Sequence, residues 1–225
     1  MTSLQIARRA GALVAVGISA GAVSACGSSE TTSTTFALPA GCEKVPAPPA
    51  KHVNLRRPGG KAPHAAALTA TVDTSCGRFS IALDAGDAPR TVHSFTYLAK
   101  KGVYDDTSFD RIVPGFLIQG GDPTETGMGG PGYSVTEPPP PGTTYRRGRV
   151  AMAKSAVEPS GRSGSQFFVV TAADAGLPPQ YALLGRVRSG SGVVRRIESV
   201  GDKSSGQVGT PRAPVVIRRI TVSAP

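Results

Sequence analysis

The sequence predicts a mostly β domain: a closed barrel of short antiparallel strands, capped at its ends by two helices and preceded by a disordered linker. Three observations predict it. Gly (28 residues) and Pro (20 residues) are abundant in a chain of 225 residues, which favours a turn-rich β protein over a helical bundle. Two stretches carry apolar residues at helical spacing. Around and between them run short alternating or β-branched segments, broken by Gly- and Pro-rich loops.

The elements follow in order from Ala67. Leu68-Thr-Ala-Thr-Val-Asp-Thr reads as a strand, and Cys76-Gly77 marks a turn. Arg78 to Asp84 places Phe79, Ile81 and Leu83 on one face, so it reads as the returning strand. Pro89 stands where the first residue of a helix belongs. Val92, Phe95, Leu98 and Ala99 then recur at helical spacing, and Gly102 closes the run. A second stripe, Val193, Val194, Ile197 and Val200, stops at Gly201. Val215 to Val222 is a closing β-branched strand.

The N-terminus predicts export. Arg8 and Arg9 precede an apolar, small-residue run from Ala10 to Val23. That run is shorter than the roughly 20 residues that span a bilayer and reads as a secretory signal over residues 1–25. Cys26 follows Val23-Ser24-Ala25 directly, and this resembles the bacterial lipobox. The resemblance implies cleavage before Cys26 and a lipid on its sulfur, which would tether the chain to the outer face of the cell membrane. An ordinary cleaved signal and an uncleaved anchor are the alternatives. Residues 26–66 are rich in Ser, Thr, Pro and Lys without apolar periodicity, and are expected to be a flexible linker from the lipid to a domain at 67–225. Cys42 and Cys76 remain. In an oxidising compartment they pair as a disulfide, or else stay as two free thiols.

Composition narrows the function classes. The formal net charge is +10, but the basic residues are scattered and no stacking aromatics are interleaved with them. Nucleic acid is therefore not an expected partner. Gly127-Met-Gly-Gly-Pro-Gly132 fits G-x-G-x-x-G literally, yet Pro131 interrupts it and no helix follows, so no nucleotide is expected. The three histidines lack ligand spacing, and no metal or other cofactor is expected. The chain is expected to be a monomer.

The chemistry lies in Phe109-Asp-Arg-Ile-Val-Pro-Gly-Phe-Leu-Ile-Gln-Gly-Gly-Asp122, Val150-Ala-Met-Ala-Lys154 and Gly164-Ser-Gln-Phe-Phe-Val169. On strands, Gln166 and Phe168 share one face, as do Leu117 and Gln119. Phe167 points the other way, to the core. Phe116 has the opposite parity to Gln119 and can join that face only if Pro114-Gly115 bends the chain. An apolar patch holding an Arg and two Gln amides is odd as core. It suits an apolar ring with an amide attached, a prolyl peptide.

These blocks, in this order, resemble the cyclophilin family over about Thr69 to Val222. The resemblance implies an eight-stranded antiparallel barrel with two capping helices, a proline-binding groove on its outer surface, and peptidyl-prolyl cis-trans isomerase activity on proline-containing polypeptides. It assigns Arg111, Phe116, Gln119 and Phe168 as catalytic. Phe116, Met152, Phe168 and Leu177 fall around the proline ring; Ala153, Lys154 and Gln166 along the peptide backbone; Tyr181 at the rim; and Leu117 is a further substrate-binding position. Two positions depart from the family pattern: Gly176 stands where an aromatic is expected at the groove edge, and Lys154 replaces the common Asn. The Gly176 departure is expected to weaken cyclosporin binding more than turnover. It also leaves room for a second reading, a non-catalytic chaperone or scaffold that holds proline segments on the same fold.

Overall fold

The computed structural model describes residues 36–62 and 67–224. The signal (1–25), Cys26 and the linker residues 26–35 lie outside the described residues. Among the described residues, eleven strands and two α-helices run in the order β1 (Leu68–Thr74), β2 (Gly77–Leu83), α1 (Pro89–Lys100), β3 (Thr107–Ser108), β4 (Arg111–Val113), β5 (Leu117–Gly120), β6 (Val135–Thr136), β7 (Arg149–Met152), β8 (Arg162–Ser163), β9 (Phe167–Val170), β10 (Leu183–Ser189), α2 (Ser191–Glu198) and β11 (Val216–Ser223).

Nine of the strands form one curled antiparallel sheet in the order β3-β11-β1-β2-β10-β7-β9-β5-β4, and β6 pairs with β8 apart from it. Of the expected closed eight-stranded barrel, the structure shows the mostly β, curled antiparallel sheet; its hydrogen-bonded order has nine members because the end strands β3 and β4 are counted apart. They are one run of chain divided at Phe109-Asp110. Its first part, β3, pairs with β11, and its second part, β4, pairs with β5.

The first hairpin holds the predicted register, with Val72 opposite Phe79 and Ala70 opposite Ile81. Its inward face feeds a core in which Phe167 is completely buried. Phe95, Tyr104 and Phe109 each stand edge-on to the Phe167 ring, with centroids 5.9, 5.9 and 6.0 Å away. Such edge-to-face pairs add to the area that each ring buries.

α1 buries Val92, Phe95, Leu98 and Ala99 as its spacing predicts. Its N-cap residue, Ala88, offers no side-chain acceptor. The cap comes from far along the chain instead: the Glu137 carboxylate accepts from Arg90 N (3.1 Å), Thr91 N (2.7 Å) and the Thr91 hydroxyl (2.8 Å). A negative group there also complements the helix dipole.

Residues 36–62 contain no helix or strand, as a linker composition predicts, but they are not a free tether. Phe36, Cys42, Val53 and Leu55 pack against the core. Cys42 is bonded to Cys76 at the β1–β2 turn. Glu43 N donates to Ser75 O and Leu55 N to Pro131 O, both at 2.8 Å. The Lys51 ammonium donates to the carbonyls of Val103 and Asp105. The segment is a strap laid on the domain, so the folded unit begins near Phe36 and not at residue 67. A few well-spaced apolar anchors and one disulfide hold it where periodicity shows nothing.

Candidate active site

The sheet aligns the key side chains by register. Arg111 on β4 faces Gln119 on β5. Gln119 faces Phe168 on β9. Phe168 faces Ala151 on β7, and Ala151 faces Leu183 on β10. Directly opposed residues share a face, so Arg111, Gln119, Phe168, Ala151 and Leu183 form one row across the outer surface. Arg111 and Phe168 are two strand spacings apart, roughly 10 Å along the row.

An apolar cluster covers this face, separate from the main core. Its buried members include Leu117, Tyr145, Ala151, Phe168, Val170 and Leu183; Phe116, Ala153, Leu177 and Tyr181 are among those packed half-buried on it. Phe168 is the floor, 2% exposed, with the Tyr181 ring edge-on above it at 5.4 Å. The bend needed to bring in Phe116 is present. Gly115 takes φ +79°, open to glycine without strain, and Phe116 N closes the turn on Val113 O at 3.0 Å.

A chain of polar contacts fixes the guanidinium. Arg111 Nε and Nη2 both donate to Gln207 O, at 3.2 and 3.0 Å. Nη1 donates to Gln119 Oε1 at 3.4 Å, Gln119 Nε2 to Gln166 Oε1 at 3.1 Å, and Gln166 Nε2 to Gly129 O at 2.9 Å. The Asp122 carboxylate steadies the loop that carries Gly129, accepting from Thr124 N (2.7 Å) and Gly129 N (3.0 Å). Burial works against that charge, but these bonds from Gly129, Thr124 and Thr126 win and hold the carboxyl below its usual range. Between Gln119 and Asp122, Gly120 is required by close approach, since a Cβ there would stand 2.3 Å from Ser108 O. Burial lowers the Arg111 pKa, while Tyr181 and Asp110 oppose the shift. A guanidinium remains charged at any physiological pH all the same. Next to it, burial lifts the Asp110 carboxyl to about 6.

Most expected site residues are thus brought together: Arg111, Phe116, Leu117, Gln119, Ala153, Gln166, Phe168, Leu177 and Tyr181. Met152 is not. It faces Phe167 in the register and is 1% exposed in the main core, on the opposite side of the sheet. Its parity differs by one residue from Ala151 and Ala153, which is enough to turn it inward. Lys154 stands at the edge, but its ammonium is spent on its own loop, donating to the carbonyls of Ser155 and Glu158, both at 2.9 Å. It also lies 5.7 Å from the Tyr181 ring centroid. Gly176 has φ +61° with open space where a side chain would stand, so that edge of the groove is unwalled.

Three contributors were not foreseen. Tyr145 supports the rim by exchanging hydrogen bonds with the Tyr181 backbone, its hydroxyl donating to Tyr181 O (2.7 Å) and accepting from Tyr181 N (3.0 Å). Gln207 contributes only a backbone carbonyl, which no residue type announces. Asp122 was visible as the end of the Q-G-G-D run.

The geometry provides a fixed cation and two linked amide side chains on the same face as a half-buried apolar cluster. Comparison with known proteins agrees: residues 69–222 match the family model described as cyclophilin type peptidyl-prolyl cis-trans isomerase/CLD. The chain belongs to this family. Peptidyl-prolyl cis-trans isomerase-like 1 of Neurospora crassa is 37% identical over 158 residues, covering 67% of this chain and 95% of that protein. The probable peptidyl-prolyl cis-trans isomerase A of Mycobacterium bovis is 34% identical over 174 residues, covering 70% and 93%. A crystal structure of a Cryptosporidium parvum cyclophilin type isomerase, determined in the presence of the dipeptide Ala-Pro, superposes with a TM-score of 0.62. It is 29% identical and covers 70% of this chain and 99% of that one.

For a cyclophilin-type isomerase the task is rotation about one bond. The barrier of about 18–20 kcal/mol comes from C–N resonance. No bond breaks, so no nucleophile or base is needed. The site must hold the twisted imide better than the planar one. Twisting returns a lone pair to the proline nitrogen, and a preorganised guanidinium can donate a hydrogen bond to it.

Proposed function

We propose that this isomerase accelerates X-Pro rotation in exported polypeptides at the outer face of the cell membrane, tethered there by a lipid on Cys26. The proline ring seats on Phe116, Leu117, Phe168 and Leu177, Arg111 donates to the imide nitrogen in the twisted state, and Gln119 and Gln166 align the flanking amides. The observation that carries the catalytic part is the Arg111–Gln119–Phe168 row, with the guanidinium held from two sides. The location rests on Arg8, Arg9, the short apolar run and Cys26. The oxidised Cys42–Cys76 pair is compatible with an exported chain.

A protease-coupled isomerisation assay on a short Ala-Pro peptide tests the chemistry, with wild type compared to Arg111→Ala. Equal rates at the uncatalysed level would leave only the proline-holding scaffold, a reading that the unwalled edge at Gly176 favours. Metabolic labelling with a fatty acid, wild type against Cys26→Ser, tests the tether separately. Label retained in the variant would sink it.

A further inference from the structure

Beyond the groove, on the far side of Gln166, lies a cavity of about 800 Å³. The loop Gly127 to Ser134 walls one side, and Ala153 to Ser155 with Glu158, Arg162 and Gly164 to Gln166 wall the other. Its remaining wall is Val53. That residue belongs to the strap, outside residues 69–222 that match the family model.

The strap does more than touch this cavity. Leu55 N donates to Pro131 O at 2.8 Å, and Arg57 Nη2 donates to Ser134 O at 2.6 Å. Asn54 lies so close over Gly132 that a Cβ there would meet its side chain at 2.5 Å. The strap therefore fixes the loop that forms one wall, and the same loop supplies the Gly129 carbonyl to Gln166. At the open lip, Met128 is 86% exposed, and it also lines the cavity. The Lys154 ammonium is tied back to its own loop. Glu158 and Arg162 on the opposite wall pair with each other at 3.2 Å, so an entering side chain meets Val53, Pro131 and Met128 on one side and a paired charge on the other.

We propose that the strap is a specificity element of the isomerase, with Val53 selecting an apolar side chain near the proline of the bound polypeptide. This rests on the groove being the peptide site. A chain crossing the groove past Gln166 delivers a neighbouring side chain into the cavity, where an apolar contact is worth more than exposure to water.

The test uses the mature chain with the disulfide intact, as wild type, Val53→Phe and Val53→Ala. Short proline peptides carry Gly, Leu or Glu at each of the two positions before and after the proline. Two quantities are read for each peptide: kcat/KM, and Kd by fluorescence anisotropy. In wild type, Leu is preferred over Gly and Glu at one of the four positions. Val53→Phe cuts the Leu-to-Gly ratio at that position by about fivefold or more by filling the space, and Val53→Ala shifts it by a smaller factor. Should Val53→Phe fail to fold, Val53→Ala carries the reading alone. Ratios equal to wild type in every folded variant overturn the proposal while leaving the isomerase intact. A wild type without turnover would instead sink the isomerase reading, and the Kd ratios would still decide the role of Val53.

Discussion

Arg111 and Gln119 stand directly opposite each other on β4 and β5, with Nη1 3.4 Å from Oε1, and the far side of the same guanidinium is held by Gln207 O. The cation is gripped before any substrate arrives. Preorganisation of this kind lets a single donor act on a transition state without paying for its own orientation.

Arg111→Ala is expected to lower kcat/KM by about 10²- to 10³-fold with little change in melting temperature, because the side chain is only half-buried. Arg111→Lys should recover little, since an ammonium cannot donate in a fixed plane to both Gln207 O and Gln119. The coupled isomerisation assay, run beside thermal melts, reads both.

Gln166 is a positioning residue as well as a peptide contact, because it links Gly129 O to Gln119. Gln166→Leu should cost about 10- to 100-fold in kcat/KM. Gln166→Glu should fall between, since it keeps an acceptor for Gln119 but turns a second oxygen toward Gly129 O. If both variants lost activity equally, the linkage would carry no weight.

The Cys42–Cys76 bond closes a loop with a sequence separation of 34. Loop-closure entropy puts its contribution at about 3–4 kcal/mol. Cys42→Ser, or mild reduction of wild type, should lower the urea midpoint accordingly. No effect of reductant would mean that the disulfide adds nothing to stability.

Asp110 carries a pH signature. Burial first, with the nearby Asp122 and Glu125 charges, raises its folded pKa to about 6, well above its unfolded value. The folded chain thus binds more protons between about pH 4 and 6, so stability falls as pH rises through that window. Asp110→Asn should melt higher than wild type at pH 7.5, by up to about 3 kcal/mol, and should lose that advantage at pH 4. Parallel melts across the range check the sign.

Gly176 leaves one edge of the groove open, and cyclosporin should therefore inhibit wild type only weakly. Gly176→Trp should tighten inhibition at least about tenfold, even though φ +61° costs a side chain about 1–2 kcal/mol. Titration of both proteins with the drug decides it.

The first hairpin, both helices and the closing strand were legible because each carries its own period: Phe79, Ile81 and Leu83 alternate, and Val92, Phe95, Leu98 and Ala99 recur at helical spacing. The site was legible where a motif fixed it, at Arg111, Gln119, Gln166 and Phe168. Met152 was misplaced because neighbours on a strand point to opposite faces, and motif proximity hid that parity. The strap was read as a linker because its anchors, Phe36, Cys42, Val53 and Leu55, follow no regular spacing.

The sequence by itself determined that Leu117 and Gln119 share a face, which ring fills the core at Phe167, and that a guanidinium sits among apolar neighbours. Only the tertiary structure decided who holds that guanidinium, where α1 finds its cap, and that residues 36–62 belong to the domain. The physical reason is common to all three. Gln207 O, the Glu137 carboxylate and the docking sites of Val53 and Leu55 act across long sequence separations, through backbone carbonyls and irregular contacts. Those depend on where the chain returns in space, and no local pattern of side chains records them.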